Sequence, residues 1–203
     1  MLERPESRFF FVGNDRCLDF VNTTVILNGV FTDLLCSFAD LVDWCVAAGV
    51  VGDEAGATLR AQAAPDDAGR ALAEARALRA EIRHAAEAAA GGKDVPPSAV
   101  GAVNDVLRRG PRYTQLRGHG RVFQKELVAP DLTPDGLLVP VAEAAATLLA
   151  ERDLGLVKRC ANPACILFFY DASKNHARRW CSMEVCGNRM KVAAHHRRQK
   201  EGA

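Results

Sequence analysis

The sequence lacks any long uninterrupted run of apolar residues, although hydrophobic residues make up 49% of its 203 positions. Charged residues break its longest apolar runs within about ten positions, whereas a membrane-spanning helix needs about twenty. The N-terminal region has no secretory pattern, since only the short run from Phe9 to Val12 follows Glu3, Arg4 and Glu6. We therefore expect a cytoplasmic protein that has no membrane partner.

Sequence signatures of common catalytic and nucleotide-binding sites are also missing. The chain has no Gly-x-Ser-x-Gly elbow, no phosphate-binding loop and no dinucleotide fingerprint. The His-x-Glu and Pro-Cys-x-x-Cys strings of zinc deaminases are absent as well. Because the sequence offers no catalytic constellation, we expect a protein that is not an enzyme.

Cysteine, by contrast, is abundant, and four of the seven cysteines form two closely spaced pairs. Cys160 pairs with Cys165 and Cys181 with Cys186, each as Cys-x-x-x-x-Cys, and fifteen residues separate the pairs. This pattern is typical of structural zinc, because each pair can close a knuckle that delivers two thiolates to a tetrahedral ion. Cysteines in a reducing compartment are also more often metal ligands than disulfides. We predict that these four residues bind one structural Zn²⁺ per chain.

Most of the remaining chain has helical periodicity. We predict one helix from Asn14 or Asp15 to about Leu27 and a second from Ser37 to Gly49. A long alanine-rich helix spans Pro65 to Ala90, and shorter helices begin near Ser98 and Pro140. Alternating apolar residues and glycines over residues 112–128 favour a β-hairpin.

The fold class predicted from these patterns is mainly α with small β elements. A helical N-terminal domain with a β-hairpin covers residues 1–154. A C-terminal four-cysteine zinc-finger module covers residues 155–203 and is built as a knuckle, a hairpin and a helix. Ile166–Tyr170 and Ala177–Trp180 are the strands expected for that hairpin.

Charge is divided unevenly between these two regions. Residues 158–203 hold ten Lys and Arg against three Asp and Glu, whereas residues 1–157 hold sixteen against twenty-two. A cationic tail on an acidic body suggests a polyanion as the partner of the tail. The alternative is that the basic residues serve only solubility.

A basic helix is expected to follow Cys186. Asn188, Lys191, His195 and Arg198 recur at spacings of three and four and would form one polar stripe. This stripe is flanked by Arg189, His196, Arg197 and Lys200. Such a helix can enter a DNA major groove or follow phosphates, so DNA is the expected partner.

Two arginines precede the second cysteine pair. Arg178 and Arg179 are further candidates for nucleic-acid binding. The alternative is structural, because four thiolates around one divalent cation leave a negative charge that nearby arginines can offset.

Asn22 is a polar residue in phase with the apolar face of the first predicted helix. A buried amide must find hydrogen-bond partners or destabilise the fold. Two interpretations remain open: a structural bridge to a neighbouring backbone, or a polar group in a ligand pocket.

Two stretches of the sequence resemble known families. RRWCSMEVCGNRMK, from Arg178 to Lys191, resembles the CGNR zinc finger together with the upstream CANPAC and FFYDASKN strings. CLDFVNT, from Cys17 to Thr23, and the helix that ends at Gly49 resemble the ABATE-type domain of stress-induced bacterial transcription regulators.

This resemblance implies a bacterial transcription regulator with a zinc-dependent DNA-binding tail. The zinc ligands of the family correspond to Cys160, Cys165, Cys181 and Cys186, and the N-terminal domain is expected to sense a small-molecule effector. Proteins that read palindromic DNA are often dimers, so a homodimer is a further expectation. The alternative function is a zinc-stabilised adaptor that binds protein or RNA and does not read a DNA sequence.

Overall fold

The computed structural model describes residues 8–110, 113–128, 133–192 and 199. Its helices are α1 (Arg16–Val21), α2 (Phe38–Ala47), α3 (Asp53–Gln62), α4 (Pro65–Ala90), α5 (Pro97–Leu107) and α6 (Val139–Glu151). Its strands are β1 (Thr24–Leu27), β2 (Val30–Asp33), β3 (Tyr113–His119), β4 (Val122–Val128), β5 (Val157–Arg159) and β6 (Phe168–Tyr170). The strands pair in three antiparallel ribbons, β1–β2, β3–β4 and β5–β6. The prediction of a mainly α fold with small β elements is confirmed.

The first helix is shorter than the periodicity predicted. It ends at Val21, and the next residues form strand β1 instead of a continued helix. Asn28 and Gly29 both have positive φ, 52° and 81°, and form the two-residue turn between β1 and β2. An Asn-Gly pair is a strong hairpin signal, and the β-branched residues before it favour a strand over a helix.

Helix α4 lies at the centre of the helical domain. The side of α4 that carries Ala75, Leu78, Ile82 and Ala86 is buried in the main apolar core. Helices α1, α2 and α5 pack against α4. Small side chains on this face let the neighbouring helices approach closely. The predicted boundaries Pro65 and Ala90 agree with the structure.

Two other helices differ in how well the sequence predicts them. The Ser37 side chain accepts a hydrogen bond from the Asp40 N–H and Asp40 bonds back to the Ser37 N–H, so the cap predicted for α2 is present. Helix α3 was not predicted, because Leu59 and Gly56 are its only buried residues and leave it a weak apolar stripe.

The predicted hairpin at residues 112–128 forms strands β3 and β4, paired in register from Tyr113↔Val128 to His119↔Val122. Gly120, with φ of 64°, lies in the two-residue turn between them. Every residue from Gln115 to Lys125 is exposed. The two strands therefore form a solvent-facing ribbon.

The strand pairing in the C-terminal region differs from the prediction. Phe168–Tyr170 is a strand, but its partner is β5, Val157–Arg159, and not Ala177–Trp180. The predicted return segment forms one backbone bond instead, from the Ala161 N–H to the Arg179 carbonyl at 2.9 Å. Apolar composition located β6 but contained no information about which segment would lie beside it.

A helical segment begins between the two cysteines of the second pair. A π-helical turn, Met183–Gly187, leads into an α-helix over residues 188–192. Of the predicted basic helix, residues 193–198 and 200–203 lie outside the described part of the structure. Among the described helices, none combines the length and the apolar character that crossing a membrane requires.

Candidate metal centre

The four cysteines of the two pairs meet at one buried point. The Sγ atoms of Cys160, Cys165, Cys181 and Cys186 all lie within 4.8 Å of one another. Each of these residues is at most 8% exposed. Two of the six sulfur–sulfur separations are 3.8 Å, between Cys165 and Cys181, and 3.6 Å, between Cys181 and Cys186.

These separations fit a tetrahedral zinc ion. Zinc–thiolate bonds of about 2.3 Å place two sulfurs of a regular tetrahedron about 3.8 Å apart. A four-thiolate set that is almost fully buried is a closed structural site, because no coordination position remains for water or substrate. The geometry therefore agrees with the predicted role of the metal as a structural element.

Both loops that carry the cysteines are shaped by local hydrogen bonds. In the first knuckle the Asn162 carbonyl accepts from the Cys165 N–H at 2.9 Å, and its side-chain oxygen accepts from the Ala164 N–H at 3.0 Å. In the second, Ser182 caps the π-helical turn by accepting from the Val185 N–H. Cys186 therefore lies inside a helical turn and not before it.

N–H groups of neighbouring residues donate to the sulfurs. The Asn162 amide donates to Cys186 Sγ at 3.3 Å, and the Cys181 N–H donates to Cys160 Sγ at 3.4 Å. Four thiolates around Zn²⁺ carry a net negative charge, so such donors offset part of it and orient the ligands. Asn162 is 5% exposed, which isolates its bond to sulfur from water.

The sulfur cluster on its own opposes full ionisation. Hydrogen bonding with Cys160 is the largest cause that raises the pKa of the Cys165 and Cys181 thiols well above their ordinary value. Adjacent thiolates repel, so four of them form together only beside a cation. Metal binding at this site is therefore coupled to release of protons from the thiols.

The cysteine cluster shares its apolar core with the N-terminal part of the chain. Val25 of β1 and Phe169 of β6 are buried in the same cluster as the four cysteines. Phe168, the preceding residue, is buried in the main core beside the helices. Successive side chains of a strand point to opposite faces, so β6 joins the two cores.

Asn22 joins the end of α1 to β6. Its Nδ2 donates to the Phe168 carbonyl at 2.8 Å, and its Oδ1 accepts from the Phe168 N–H at 2.9 Å. Asn22 is fully buried, and these are the contacts expected of a structural bridge to a neighbouring backbone. It is not among the residues that line the apolar cavity between α1, α4, α5, α6 and β5.

Further hydrogen bonds reinforce the same boundary. The Tyr170 N–H donates to the Gly13 carbonyl at 2.7 Å. Arg83 of α4 donates to the Ile166 carbonyl at 3.2 Å and to the Val21 carbonyl at 2.9 Å. These contacts hold the cysteine-bearing segment against α1 and α4.

A buried carboxylate organises the loop after β6. Asp171 is fully buried and accepts from Lys158 Nζ at 2.6 Å, from the Ser173 hydroxyl at 2.6 Å and from the Arg178 N–H at 3.0 Å. Burial raises the pKa of Asp171, but these donors outweigh burial and hold the pKa well below its usual range. Asp171 is therefore a charged structural centre for residues 171–178.

Comparison with known proteins assigns both regions. A family model described as "Putative stress-induced transcription regulator" (ABATE) matches residues 14–152, more than half of the chain. The chain belongs to the ABATE family. The CGNR zinc finger model matches residues 157–199, which contain all four cysteines. No curated protein matches the chain.

The residues predicted to bind zinc are therefore the ligands of a CGNR zinc finger, which binds one zinc ion. Family membership and sulfur geometry agree on this set of residues. Asn162, which donates to Cys186, was missed by sequence reasoning. Its position two residues after Cys160, inside the first knuckle, was the signal that could have identified it.

The two adjacent arginines of the CGNR finger have different environments. Arg178 is half-buried, and its guanidinium donates to the Trp180 carbonyl at 3.0 Å and to the Val12 carbonyl at 2.7 Å. It also donates to the Cys181 carbonyl and lies over the Phe169 ring, 4.2 Å from its centroid. Arg178 thus ties the finger to the segment before α1.

Arg179, by contrast, is exposed, and its guanidinium lies 5.1 Å from the centroid of the Trp180 ring. Asn188, Arg189 and Lys191 are exposed on the helical segment after Cys186. The Asn188 side chain donates back to the Glu184 carbonyl at 3.2 Å. His195, Arg197, Arg198 and Lys200 lie outside the described residues.

Proposed function

We propose that the protein is a DNA-binding transcription regulator whose CGNR zinc finger contacts DNA. The observation that carries the proposal is the arrangement of exposed cations around a rigid metal centre. Arg179, Arg189 and Lys191 are exposed, while the zinc cluster beside them is buried. Cations fixed on a scaffold bind phosphates with less loss of side-chain and loop entropy than cations on a free tail.

The bonds between the finger and the ABATE domain support a regulatory role. A finger joined by a flexible linker would not change its position when the conformation of the ABATE domain changes. Here Asn22, Gly13 and Arg83 bond directly to backbone groups between Ile166 and Tyr170. A change in α1 or α4 would therefore move the base of the finger.

The sensing part of the proposal concerns an apolar cavity in the ABATE domain. It lies between α1, α4, α5, α6 and β5, and its lining includes Cys17, Ile82, Ala86, Val103, Leu148 and Val157. The cavity has a volume of about 10 Å³, room for about one water molecule, so an effector enters it only when the surrounding helices move apart. The effector proposed for it is small and uncharged, because an apolar lining offers a charged ligand no partner. Val157 is the first residue matched by the CGNR zinc finger model. A ligand in this cavity would therefore contact both the ABATE domain and the zinc finger.

Zinc in this proposal has no catalytic role, and the protein is not an enzyme. The support is the closed donor set, in which four protein thiolates occupy all positions of a tetrahedral ion.

Selection of bound fragments from random double-stranded DNA tests the proposal. The full-length, zinc-loaded protein is expected to enrich a defined sequence, and a chelator is expected to abolish the enrichment. The Arg189→Gln/Lys191→Gln variant should retain zinc and lose enrichment. An adaptor for protein or RNA would enrich no DNA sequence, and that result would overturn the proposal.

Binding of small uncharged apolar compounds tests the sensing part. A compound that fits the cavity should raise the melting temperature of the wild-type protein. Ala86→Val fills part of the cavity and should weaken that effect. An equal effect in both proteins would place the ligand elsewhere.

A further inference from the structure

The β3–β4 ribbon is the one part of the described ABATE domain in which cations outnumber acids on a solvent-facing element. Strands β3 and β4 and their turn hold three cations, Arg117, Arg121 and Lys125, against one acid, Glu126. The sequence up to residue 157, taken as a whole, is acidic, with twenty-two Asp and Glu against sixteen Lys and Arg. The ribbon therefore differs in charge from the domain that carries it.

The chain just before the ribbon packs against α6. Gly110, before β3, approaches Val139 of α6 so closely that a Cβ on the glycine would lie 2.5 Å from a Val139 methyl group. Within the ribbon, every residue from Gln115 to Lys125 is exposed.

The register of the strands places cations on both faces and at the tip. Lys125 lies opposite Leu116, on the same face as Phe123. Arg117 lies opposite Gln124, on the other face. Arg121 follows Gly120 in the turn. Among the described residues, Arg121 and Lys125 form no ion pair with an acid of this chain.

Apolar side chains accompany these cations. Leu116 is 67% exposed, Val122 69% and Phe123 60%. The Phe123 ring lies across Gly118, because a Cβ there would be 2.6 Å from its Cδ1. Two-stranded ribbons with both faces in water are marginally stable, so this combination fits a surface that contacts another molecule.

We propose that the β3–β4 ribbon is a second DNA-contacting element, which inserts into a groove of duplex DNA. The major groove admits a two-stranded ribbon, and phosphates line it on both sides. Cations on both faces and at the tip match that distribution of charge. The exposed apolar side chains then contact sugars and the methyl groups of thymine.

Charge favours DNA over a second copy of the chain as the partner of the ribbon. Two ribbons related by a two-fold axis would bring Arg117, Arg121 and Lys125 of each copy close to those of the other. Like charges placed together destabilise an interface. A polyanion removes this conflict and gains free energy from the release of counterions.

The inference rests on the proposed DNA-binding function and is tested by the salt dependence of binding. The probe is a labelled duplex of about 20 base pairs, two helical turns. Full-length, zinc-loaded protein is titrated at several NaCl concentrations from about 50 to about 200 mM. Arg121→Gln/Lys125→Gln is compared with Arg60→Gln/Lys93→Gln, which removes the same charge from exposed residues of α3 and of the α4–α5 loop.

The ribbon variant should reduce the slope of log K against log[salt] by about 2 and weaken binding about tenfold or more near 150 mM salt. The control pair should leave the slope unchanged. Both variants should melt within a few degrees of the wild type, because the substituted residues are exposed.

Equal slopes for the ribbon variant and the wild type would overturn the inference. If Arg189→Gln/Lys191→Gln alone then weakened binding, the proposed function would stand without the ribbon. If the wild type bound no duplex, both would fail together. A ribbon variant that dimerised more tightly with DNA affinity unchanged would show that the ribbon contacts a second copy of the chain.

Discussion

Asn22 and Phe168, 146 positions apart in sequence, exchange two hydrogen bonds across the boundary between the ABATE domain and the zinc finger. The amide replaces the two bonds that a neighbouring strand would give to this residue of β6. Phe168 is 1% exposed and Asn22 is fully buried, so water cannot replace either bond. The side chain that follows α1 therefore contributes directly to the orientation of the finger.

Asn22→Ala should lower the free energy of unfolding by about 3 kcal/mol, because it leaves the buried N–H and carbonyl of Phe168 without partners. Chemical denaturation with zinc in excess measures the change. Asn104→Ala on the exposed face of α5 is the matched control and should change stability by less than about 0.5 kcal/mol. Unchanged stability with loss of effector binding would favour the ligand-pocket interpretation of Asn22.

Asn162→Ala should weaken zinc binding about tenfold to a hundredfold, because it removes the donor to Cys186 Sγ and the support of the first knuckle. Competition with a chromophoric chelator measures the affinity. Asn175→Ala, at an exposed residue of the same module, serves as control. Equal zinc affinities for the two variants would show that the bond to sulfur does not tune the site.

Arg178→Gln and Arg179→Gln should affect different properties of the protein, although the two residues are adjacent and chemically identical. The first variant should lose stability by about 2 kcal/mol, because its guanidinium bonds to part-buried backbone carbonyls at the boundary. The second should keep stability and lose DNA affinity. Thermal denaturation and DNA titration on both proteins measure the two effects. A loss of DNA affinity without loss of stability in Arg178→Gln would contradict this assignment.

Asp19→Asn should change how stability depends on pH. Burial raises the pKa of Asp19 to about 6, although the carboxylate accepts a hydrogen bond from the Gly13 N–H at 2.7 Å. The protonated carboxyl is favoured in the folded state, so its contribution to stability is complete below the unfolded pKa, near 4, and is lost as pH rises through 6.

The unfolding free energy of wild type minus that of Asp19→Asn should therefore fall by about 2.5 kcal/mol between pH 4 and pH 7.5. Denaturation of both proteins across this range measures it. Zinc binding also varies with pH, but it does so in both proteins and cancels in the difference. A difference that stayed constant would show that Asp19 titrates at its ordinary pKa.

The zinc ligands were predictable because their spacing is local information. Two short cysteine pairs carry the signature of a zinc site whatever the rest of the fold does, and Ser37 with Asp40 predicts a helix start in the same way. The partner strand of β6 was not predictable, since composition does not specify which distant segment will pair. Likewise, the sequence shows a polar residue at Asn22 but does not show that its hydrogen-bond partner is the backbone of Phe168.

Two other differences have specific physical causes. The sequence predicts an end of α1 that lies too far along the chain, because Val25 and Ile26 fit a helical stripe as well as a strand. The turn at Asn28 and Gly29 pairs these residues with β2, so they form a strand. Arg178 and Arg179 were equivalent by charge and position. Only their packing, one against Phe169 and backbone carbonyls and the other on the exposed side of Trp180, separates their roles.

The central claim is that exposed cations around the zinc centre bind DNA. Its most direct test is duplex binding by Arg179→Gln/Arg189→Gln/Lys191→Gln, compared with wild type at equal salt and with bound zinc measured in both. The variant should retain one zinc ion and the wild-type melting temperature, and should lose affinity about a hundredfold at low salt. Full zinc occupancy with undiminished DNA affinity would contradict the account.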